Sequence, residues 1–208
     1  MNSRFITFEG GEGSGKTTQI LRLKAALEAK NIPHIITREP GGEVNAERIR
    51  ELLVTGDKNA WDPLAETLLF YAARVQHVAR VIKPALAAGK LVICDRFMDS
   101  TLVYQGIGKA MQPEFIQALH SLTLGNLKPD LTFILDIPPT EGLKRAGARK
   151  GNENRFEGMA TEFHEQVRAG FLAIARNEEG RCVVVDALQS TDVIHLEILR
   201  KLGLSSRA

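Results

Sequence analysis

Residues 8 to 18 read FEGGEGSGKTT, and their types and spacing match a phosphate-binding loop. The pattern GxxxxGK[ST] lies between a predicted strand and a predicted helix, and it is completed by Gly10, Gly15, Lys16 and Thr17. Glycines let successive backbone N–H groups turn inward around phosphates, and the N-terminus of the next helix adds positive charge. Lys16 can supply a cation to the outer phosphates, and the Thr17 hydroxyl can ligate Mg²⁺. The stretch predicts ATP or GTP binding; the alternative is a glycine-rich turn without a ligand.

Two apolar runs end in an aspartate that could help to hold a metal ion. Asp95 ends LVICD, and Asp136 ends LTFILD. Carboxylates at such positions can coordinate Mg²⁺, although either could instead cap a helix or join an ion pair. We favour Asp95. The guanine-reading pattern NKxD is absent from the sequence, yet the phosphate loop alone does not separate a kinase from a switch or a motor ATPase.

Charged and aromatic residues beyond the needs of a simple nucleotide binder follow two of the strands and mark one helix. Arg38 lies in TREPGG just past one strand, and CDRFMDSTLVYQG, residues 94 to 106, follows another. Phe70 and Arg74 are four residues apart, so they share one helical face. An aromatic face beside a bidentate donor suits a planar base with a carbonyl. Taken singly, Phe70 could be core, Arg74 could pair with an acid, and Tyr104 could be a packing residue.

These motifs require a scaffold of strands and helices, and the hydrophobic pattern supplies one. Apolar runs typical of buried parallel strands are RFITFE (4–9), HIIT (34–37), LVICD (91–95), LTFILD (131–136) and CVVVD (182–186). Helical patterns cover 17–30, 46–54, 63–88, 113–123, 139–149, 162–177 and 190–202. The alternation predicts an α/β fold with a five-stranded parallel sheet and helices on both faces, as one domain over 1–208. Residues 147–158, GARKGNENRFEG, lack apolar periodicity and predict a short mobile lid.

The overall composition is that of an ordinary soluble protein. The chain has 27 basic and 25 acidic residues, a net charge of +2 and 44% hydrophobic residues, which argues against a strongly nucleic-acid-coating protein. Cys94 and Cys182 sit in apolar runs without CxxC spacing, so we expect buried reduced thiols, with a redox or metal role as the alternative. No run approaches the roughly 18 apolar residues of a membrane span, and no secretory stretch precedes the first strand. We expect a cytoplasmic protein with neither a nucleic-acid nor a membrane partner.

Taken together, these motifs resemble the bacterial thymidylate kinase family. The resemblance extends over nearly the whole chain, in order, through FEGGEGSGKTT, TREPGG, FYAARVQ, VIKPAL, CDRF, YQG, LKPDLTFILD and LKRAGAR. The phosphate loop is shared widely, whereas REPGG with FYAAR and the DRF–YQG pair is specific to the family. The resemblance implies a P-loop kinase fold, a homodimer, and Mg²⁺-dependent transfer of the ATP γ-phosphoryl group to thymidine monophosphate (dTMP) in dTTP biosynthesis.

The resemblance also assigns binding residues. ATP would lie against Gly10, Gly11, Glu12, Gly13, Ser14, Gly15, Lys16, Thr17 and Thr18, and Thr17 and Asp95 would hold Mg²⁺. Residues expected to bind dTMP are Glu12, Arg38, Phe70, Arg74, Arg96, Ser100, Thr101, Tyr104 and Gln105.

Within the acceptor set, the resemblance gives each side chain a part of dTMP. The two arginines Arg38 and Arg96 would hold the acceptor phosphate. Phe70 would stack on thymine, and Arg74 would donate to a thymine carbonyl. The remaining contacts would be made by Thr101 and Gln105 at the base edge, by Tyr104 where a ribose 2′-hydroxyl would sit, and by Glu12 at the 3′-hydroxyl.

Catalysis would rest on cations around the transferred group, because two anions must approach each other. Some members of the family carry an arginine in the phosphate loop where this chain has Gly13. The variant that this chain resembles carries it in the lid instead, so the predicted catalytic residues are Lys16, Arg96, Arg149, Arg155 and Glu9. The alternative is a solvated, charged lid without a catalytic arginine. Alternative functions are another nucleoside monophosphate or deoxynucleoside kinase, and a nucleotide-dependent switch protein.

Overall fold

A computed structural model of the chain describes residues 5–57, 59–148 and 155–204. Five parallel strands form one sheet in the order β2-β3-β1-β4-β5, where β1 is Phe5–Glu9, β2 is His34–Arg38, β3 is Leu91–Asp95, β4 is Leu131–Asp136 and β5 is Cys182–Asp186. The predicted five-stranded parallel sheet is confirmed. Each predicted strand agrees with the observed one to within a residue, because buried parallel strands read as continuous apolar runs.

The helices also follow the predicted patterns closely. They are α1 (Lys16–Ala29), α2 (Val44–Val54), α3 (Pro63–His77), α4 (Lys83–Ala87), α5 (Met98–Thr101), α6 (Pro113–Leu124), α7 (Pro139–Gly147), α8 (Thr161–Asn177) and α9 (Thr191–Lys201). π-Helical turns at Val78–Ile82 and Leu102–Ile107 extend α3 into α4 and lengthen α5. The second of these turns lies in the stretch that carries the acceptor motif, and it had no helical signal in the sequence. No described helix is long and apolar enough to cross a membrane.

Side chains alternate between the two faces of the sheet and build a hydrophobic core on each. Ile6 and Phe8 of β1 pack with residues of α1 and α9 on one face. Phe5, on the opposite face, packs with Val92 and Phe97 in the layer formed by α3, α4 and α6. Both cysteines are buried and free, as the sequence predicted. The period of two along each strand therefore explains why helices cover both faces.

The carboxyl ends of three neighbouring strands converge on one edge of the sheet. Phe8 pairs with Asp95, and Asp95 pairs with Arg38, so the ends of β1, β3 and β2 lie side by side. In such sheets ligands bind in the crevice beyond these ends. The predicted lid over 147–158 is only partly described: α7 continues to Gly147, residues 149–154 lie outside the described residues, and a turn begins at Arg155.

Candidate active site

A cavity of about 980 Å³ opens along the carboxyl edge of the sheet. Its walls come from the phosphate loop, from the ends of β2 and β3, and from the residues that follow β5. Most of the predicted binding residues line it, including Glu12, Gly13, Ser14, Gly15, Lys16, Thr17, Thr18, Arg38, Phe70, Arg74, Asp95, Arg96, Ser100, Thr101, Tyr104 and Gln105. The fold thus brings together residues that lie far apart in the sequence.

The phosphate loop curls around the amine of Lys16. Lys16 Nζ donates to the carbonyl oxygens of Gly10 at 3.0 Å and Gly11 at 2.9 Å, and to Ser14 Oγ at 3.3 Å. Burial, reinforced by the nearby Arg96 guanidinium, lowers the pKa of Lys16 from 10.5 to about 8. An anionic ligand would offset that desolvation, because an opposite charge favours the ammonium form. The loop is therefore built to take up negative charge at this point.

Gly13 lacks a side chain for a geometric reason. Its φ is +67°, in the left-handed region, and a Cβ added there would overlap the carbonyl of Gly142 on α7. In the same way, a Cβ added to Gly142 would overlap the carbonyl oxygen of Glu12. Two glycines thus let α7 pack directly on the loop, and no arginine can stand at position 13 on this backbone.

Thr17 and Asp95 meet at the predicted metal position. Thr17 Oγ1 donates to Asp95 Oδ2 at 3.2 Å, which joins the end of β3 to the start of α1. Within the described residues no group of three or more His, Cys, Asp or Glu side chains could hold a metal ion. One hydroxyl and one carboxylate are a donor set that Mg²⁺ accepts when phosphate oxygens and water complete its shell. The residues present therefore fit a magnesium ion that arrives with a nucleotide.

Asp136 joins an ion pair, which is one of the alternatives to metal binding that the sequence left open. Arg168 of α8 donates to it twice, from Nε to Oδ1 at 2.7 Å and from Nη2 to Oδ2 at 2.9 Å. Both carboxylate oxygens are thereby engaged in a bidentate ion pair. Asp136 is a structural ion-pair residue at the end of β4, which agrees with the preference for Asp95.

Glu12 stands at the centre of an arginine–tyrosine cluster. Its Oε1 accepts from Arg96 Nη2 at 2.9 Å and from the Tyr104 hydroxyl at 2.9 Å. Burial raises the pKa of Glu12, but the charges of Arg96 and Lys16 outweigh that effect and lower it to about 2. Arg96 Nη1 also donates to Gly10 O and Ser100 Oγ, both at 3.1 Å, and Arg96 has a φ of +67°. The acidic residue of the loop therefore faces the acceptor side and holds Arg96 in place.

Glu9 lies behind this cluster and is fully buried. Its Oε1 accepts from the backbone N–H of Phe97 at 2.7 Å, and its Oε2 accepts from the Ser100 hydroxyl at 2.6 Å. Burial, together with the charge of Asp99, raises the pKa of Glu9 from its usual 4.5 to about 7. Glu9 does not line the cavity, so in this structure it supports the segment that carries Arg96 and does not face a ligand.

The raised pKa predicts how Glu9→Gln changes stability with pH. The folded state keeps a proton on Glu9 that the unfolded chain releases near pH 4.5, so the stability from that proton is complete below 4.5 and lost as the pH rises to about 7. In protein without nucleotide, we expect the stability of wild type relative to Glu9→Gln to fall by up to about 3 kcal/mol across this window. Urea unfolding at several pH values measures it. Glu28→Gln on the exposed side of α1 is the control, and a difference that is constant with pH would contradict the assignment.

An aromatic and polar pocket forms one end of the cavity, the end predicted to take the acceptor. Phe70 is half-buried with its ring centroid 6.3 Å from that of Phe156. Arg74 is buried; it donates from Nε to Glu39 Oε2 at 2.6 Å and from Nη2 to Thr101 Oγ1 at 2.9 Å. Its Nη1 has no hydrogen-bond partner within the described part of the chain. A buried donor without a partner beside a half-buried ring leaves room for a planar ligand with an acceptor atom.

Arg38 reaches the cavity from the end of β2. Its Nη2 donates to Glu47 Oε2 at 3.1 Å, and Glu47 also accepts from the backbone N–H of Gly42 at 2.8 Å. Half of the Arg38 side chain is exposed, at 51%. The guanidinium is therefore held on one side and open on the other, where an anion could add to it.

Arg155 lies away from the cavity in this structure, and its predicted catalytic role stays a prediction. Its side chain is buried, donates from Nη1 to Leu53 O at 2.9 Å and from Nε to Asp57 O at 3.1 Å, and pairs with Glu66 Oε2 at 2.5 Å. These partners belong to α2, α3 and the loop between them, and Arg155 does not line the cavity. The physical reason is that Glu66 is a buried carboxylate that needs cations. Arg149 lies outside the described residues, so its predicted role stays a prediction.

We expect Arg155→Met to lower stability far more than turnover. Removing one cation from buried Glu66 should cost about 3 kcal/mol of unfolding free energy, because a buried charge loses part of its compensation. Denaturant unfolding measures this, with Arg176→Met on the exposed face of α8 as control. A kcat that drops by orders of magnitude while stability is unchanged would contradict this expectation and support the catalytic assignment.

The structure adds residues that the sequence did not point to. The end of the cavity beyond β5 is lined by Arg145, Ala187, Gln189, Ser190, Thr191 and Ile194. Arg145 Nη1 donates to Ala187 O at 3.0 Å, which fixes α7 against this loop. Phe156 and Glu157 close the acceptor end. Arg145 is part of LKRAGAR, so that motif was the available signal; the loop after β5 has no motif, and only its place beside the phosphate loop identifies it.

Comparison with known proteins agrees with this site. A family model for thymidylate kinase matches residues 8–198. A thymidylate kinase from Caulobacter vibrioides is 52% identical over 204 residues, which cover 96% of this chain and 98% of the relative. One from Magnetococcus marinus is 48% identical over 97% of this chain and 96% of the relative. The crystal structure of thymidylate kinase from Ehrlichia chaffeensis has a TM-score of 0.76 at 37% identity, over 98% of this chain and 99% of that chain. Since the family model and these relatives match it over nearly its full length, the chain belongs to the thymidylate kinase family.

Proposed function

We propose that this chain transfers the γ-phosphoryl group of ATP to dTMP, with Mg²⁺, giving ADP and dTDP for dTTP synthesis in the cytoplasm. The observation that carries the proposal is one continuous cavity with a phosphate loop in the middle and an aromatic, arginine-containing pocket at one end. A nucleotide-dependent switch needs no such second pocket. The names of the relatives support the acceptor, since they are thymidylate kinases.

The donor nucleotide lies over the phosphate loop in this proposal. The strand order puts β5 on one side of β1 and β3 on the other, so the loop after β5 is the place for the nucleoside of ATP. Lys16 and the backbone of residues 10–18 hold the phosphates, and the N-terminus of α1 adds its positive end. Thr17 and Asp95 would hold Mg²⁺, and the ion would supply positive charge near the phosphates.

The acceptor binds on the β2–β3 side. Phe70 stacks on the base, Arg74 Nη1 donates to a base carbonyl, and Gln105 and Thr101 face the base edge. The phosphate of dTMP lies between Arg38 and Arg96, whose charges bring one of its oxygens up to the γ-phosphorus. Glu12 and Tyr104, which are hydrogen-bonded to each other, face the sugar and its 3′-hydroxyl.

The reaction then needs positioning and charge more than covalent help. The attacking phosphate oxygen of dTMP is already ionised, so no general base is required. A bond forms between that oxygen and the γ-phosphorus while the bond to the β-phosphate oxygen breaks, and ADP leaves. Lys16, Arg38 and Arg96 supply the cations around the transferred group, which is the principal source of catalysis in such transfers.

A homodimer is the proposed assembly, and the family resemblance is its first support. Large apolar side chains are exposed on α3 and α6, namely Leu64 at 43%, Leu68 at 47%, Phe115 at 38% and Leu122 at 86%. Neighbouring exposed apolar residues often mark a protein interface. Sedimentation of the purified chain with a Leu122→Glu variant tests it, since a buried carboxylate should disfavour the dimer.

An acceptor panel tests the proposed activity. ADP production from ATP and Mg²⁺ is measured with the monophosphates of thymidine, deoxyuridine, uridine, guanosine, adenosine and cytidine. We expect strong stimulation by dTMP. Stimulation by another monophosphate alone would identify a different kinase, and slow turnover that no acceptor changes would identify a switch protein; either result would reject the proposal.

A further inference from the structure

Glu66 is a buried carboxylate that joins three parts of the molecule near the acceptor pocket. It lies on α3, is fully buried, and does not line the cavity. Its Oε1 accepts from Gln105 Nε2 at 2.8 Å. Its Oε2 accepts from Lys109 Nζ at 2.7 Å and is paired with Arg155 Nη2 at 2.5 Å. The two oxygens therefore have different partners: one faces the amide of Gln105, and the other faces two cations.

This arrangement determines which way the Gln105 amide points. Lys109 and Arg155 both lie against Oε2 of Glu66 and only donate, and an ionised carboxylate only accepts hydrogen bonds. Gln105 must therefore present its NH₂ group to Glu66, because presenting its oxygen would place two acceptors in contact. Gln105 is itself buried and lines the cavity, so its amide oxygen Oε1 is left as the group for a ligand. The two orientations of an amide have nearly the same shape, so the orientation of Gln105 follows from its hydrogen bond to Glu66.

Arg74 supplies the complementary half of the pattern. Guanidinium groups only donate, and Nη1 of Arg74 is the buried donor without a partner among the described residues. The pocket thus offers an acceptor from Gln105 and a donor from Arg74. A pyrimidine that carries a ring N–H beside a carbonyl matches both groups. A pyrimidine with a bare ring nitrogen beside an amino group opposes both of them.

We propose that Glu66 is the positioning residue that sets the base specificity of the acceptor pocket, by forcing Gln105 to act as a hydrogen-bond acceptor. The proposal rests on the proposed function, since it assumes that this pocket binds a pyrimidine monophosphate. Glu66 touches no substrate; it acts through Gln105. It selects a 2,4-dioxo pyrimidine over a 4-amino pyrimidine.

The test is Glu66→Gln with two acceptors that differ only at the read positions, dTMP and 5-methyldeoxycytidine monophosphate. In the variant, the oxygen of the introduced amide should take the Oε2 place beside Lys109 and Arg155, and its NH₂ group should take the Oε1 place. Gln105 must then turn its own oxygen to that NH₂ group and its own NH₂ to the ligand. We expect the preference for dTMP, measured as the ratio of Kd values by calorimetry and of kcat/KM, to fall about 10- to 100-fold.

Lys109→Met is the matched control, because it removes one cation from Glu66 but keeps the carboxylate and the Gln105 bond. It should change the Kd and kcat/KM of both acceptors by the same factor, so their ratio should stay as in the wild type. If the role of Glu66 were merely structural, Glu66→Gln would also leave the ratio unchanged. A ratio within about twofold of wild type in Glu66→Gln overturns the proposal. If that variant does not fold, Gln105→Leu still tests the step on which the proposal depends, because an unchanged ratio in Gln105→Leu overturns it. Wild type that binds neither acceptor would instead reject the proposed function.

Discussion

Lys16→Met should lower kcat/KM for phosphoryl transfer by about 100- to 1,000-fold, because it removes a preorganised cation from the place where phosphate charge develops. The buried amine already directs its donors to the loop, so its exchange to phosphate oxygens costs no new desolvation. Steady-state kinetics with ATP, Mg²⁺ and dTMP measure the loss. Methionine keeps the length and packing of the side chain, so the fold should be retained.

Lys24→Met is the control for this variant. Lys24 lies on the same helix, is exposed, and makes a surface pair with Glu28 at 3.5 Å, so its loss should leave kinetics unchanged. The pH dependence gives a second readout. Since the pKa of Lys16 is lowered to about 8 in the free protein, ATP affinity of the wild type should weaken as the pH rises past 8, whereas that of Lys16→Met should not. A Lys16→Met variant within about tenfold of wild type would refute the role.

The second large effect is expected for Arg96→Met, which should lower kcat/KM for dTMP about 1,000-fold or more. Two losses combine here. In the proposed complex the acceptor phosphate would lose a cation, and Glu12 loses the arginine that donates to it at 2.9 Å. An uncompensated carboxylate next to an incoming phosphate repels it, so KM for dTMP should rise while kcat falls.

A double variant separates these two losses. Glu12→Gln combined with Arg96→Met removes the repulsion but does not restore the cation, so part of the KM effect should be recovered and kcat should stay low. Arg200→Met, an exposed change on α9, is the control for loss of positive charge. If Arg96→Met leaves KM for dTMP unchanged, Arg96 does not hold the acceptor phosphate.

Most of the scaffold could be predicted from the sequence because its signals are local. The runs LVICD, LTFILD and CVVVD became β3, β4 and β5 without a change of boundary. Ser190, the first residue of the predicted range 190–202, caps α9, with Oγ accepting from the N–H of Val193 at 3.3 Å. The helical segment from Met98 to Ile107 was missed, because its residues face the site and do not follow a simple apolar period.

Most of the predicted site residues line one cavity, but their contacts could not be predicted. Arg74 is the example: the sequence left open whether it pairs with an acid or reads a base, and in the structure its Nε pairs with Glu39 while its Nη1 has no partner among the described residues. For Asp136 the sequence left open a metal site or an ion pair, and in the structure it forms an ion pair with Arg168. Spacing along a helix places a side chain on a face, but the partner it meets comes from a distant part of the chain.

By itself, the sequence determined the phosphate loop, the order of strands and helices, and the family, because these depend on backbone periodicity and on residues adjacent in the chain. Tertiary structure alone decided three other matters: that Gly13 is bare because α7 packs on it, that Arg155 turns away from the cavity, and that Glu66 orients Gln105. Each depends on contacts between residues that are far apart in the sequence. Such contacts form because charges and hydrogen-bond donors that become buried when the chain folds need partners.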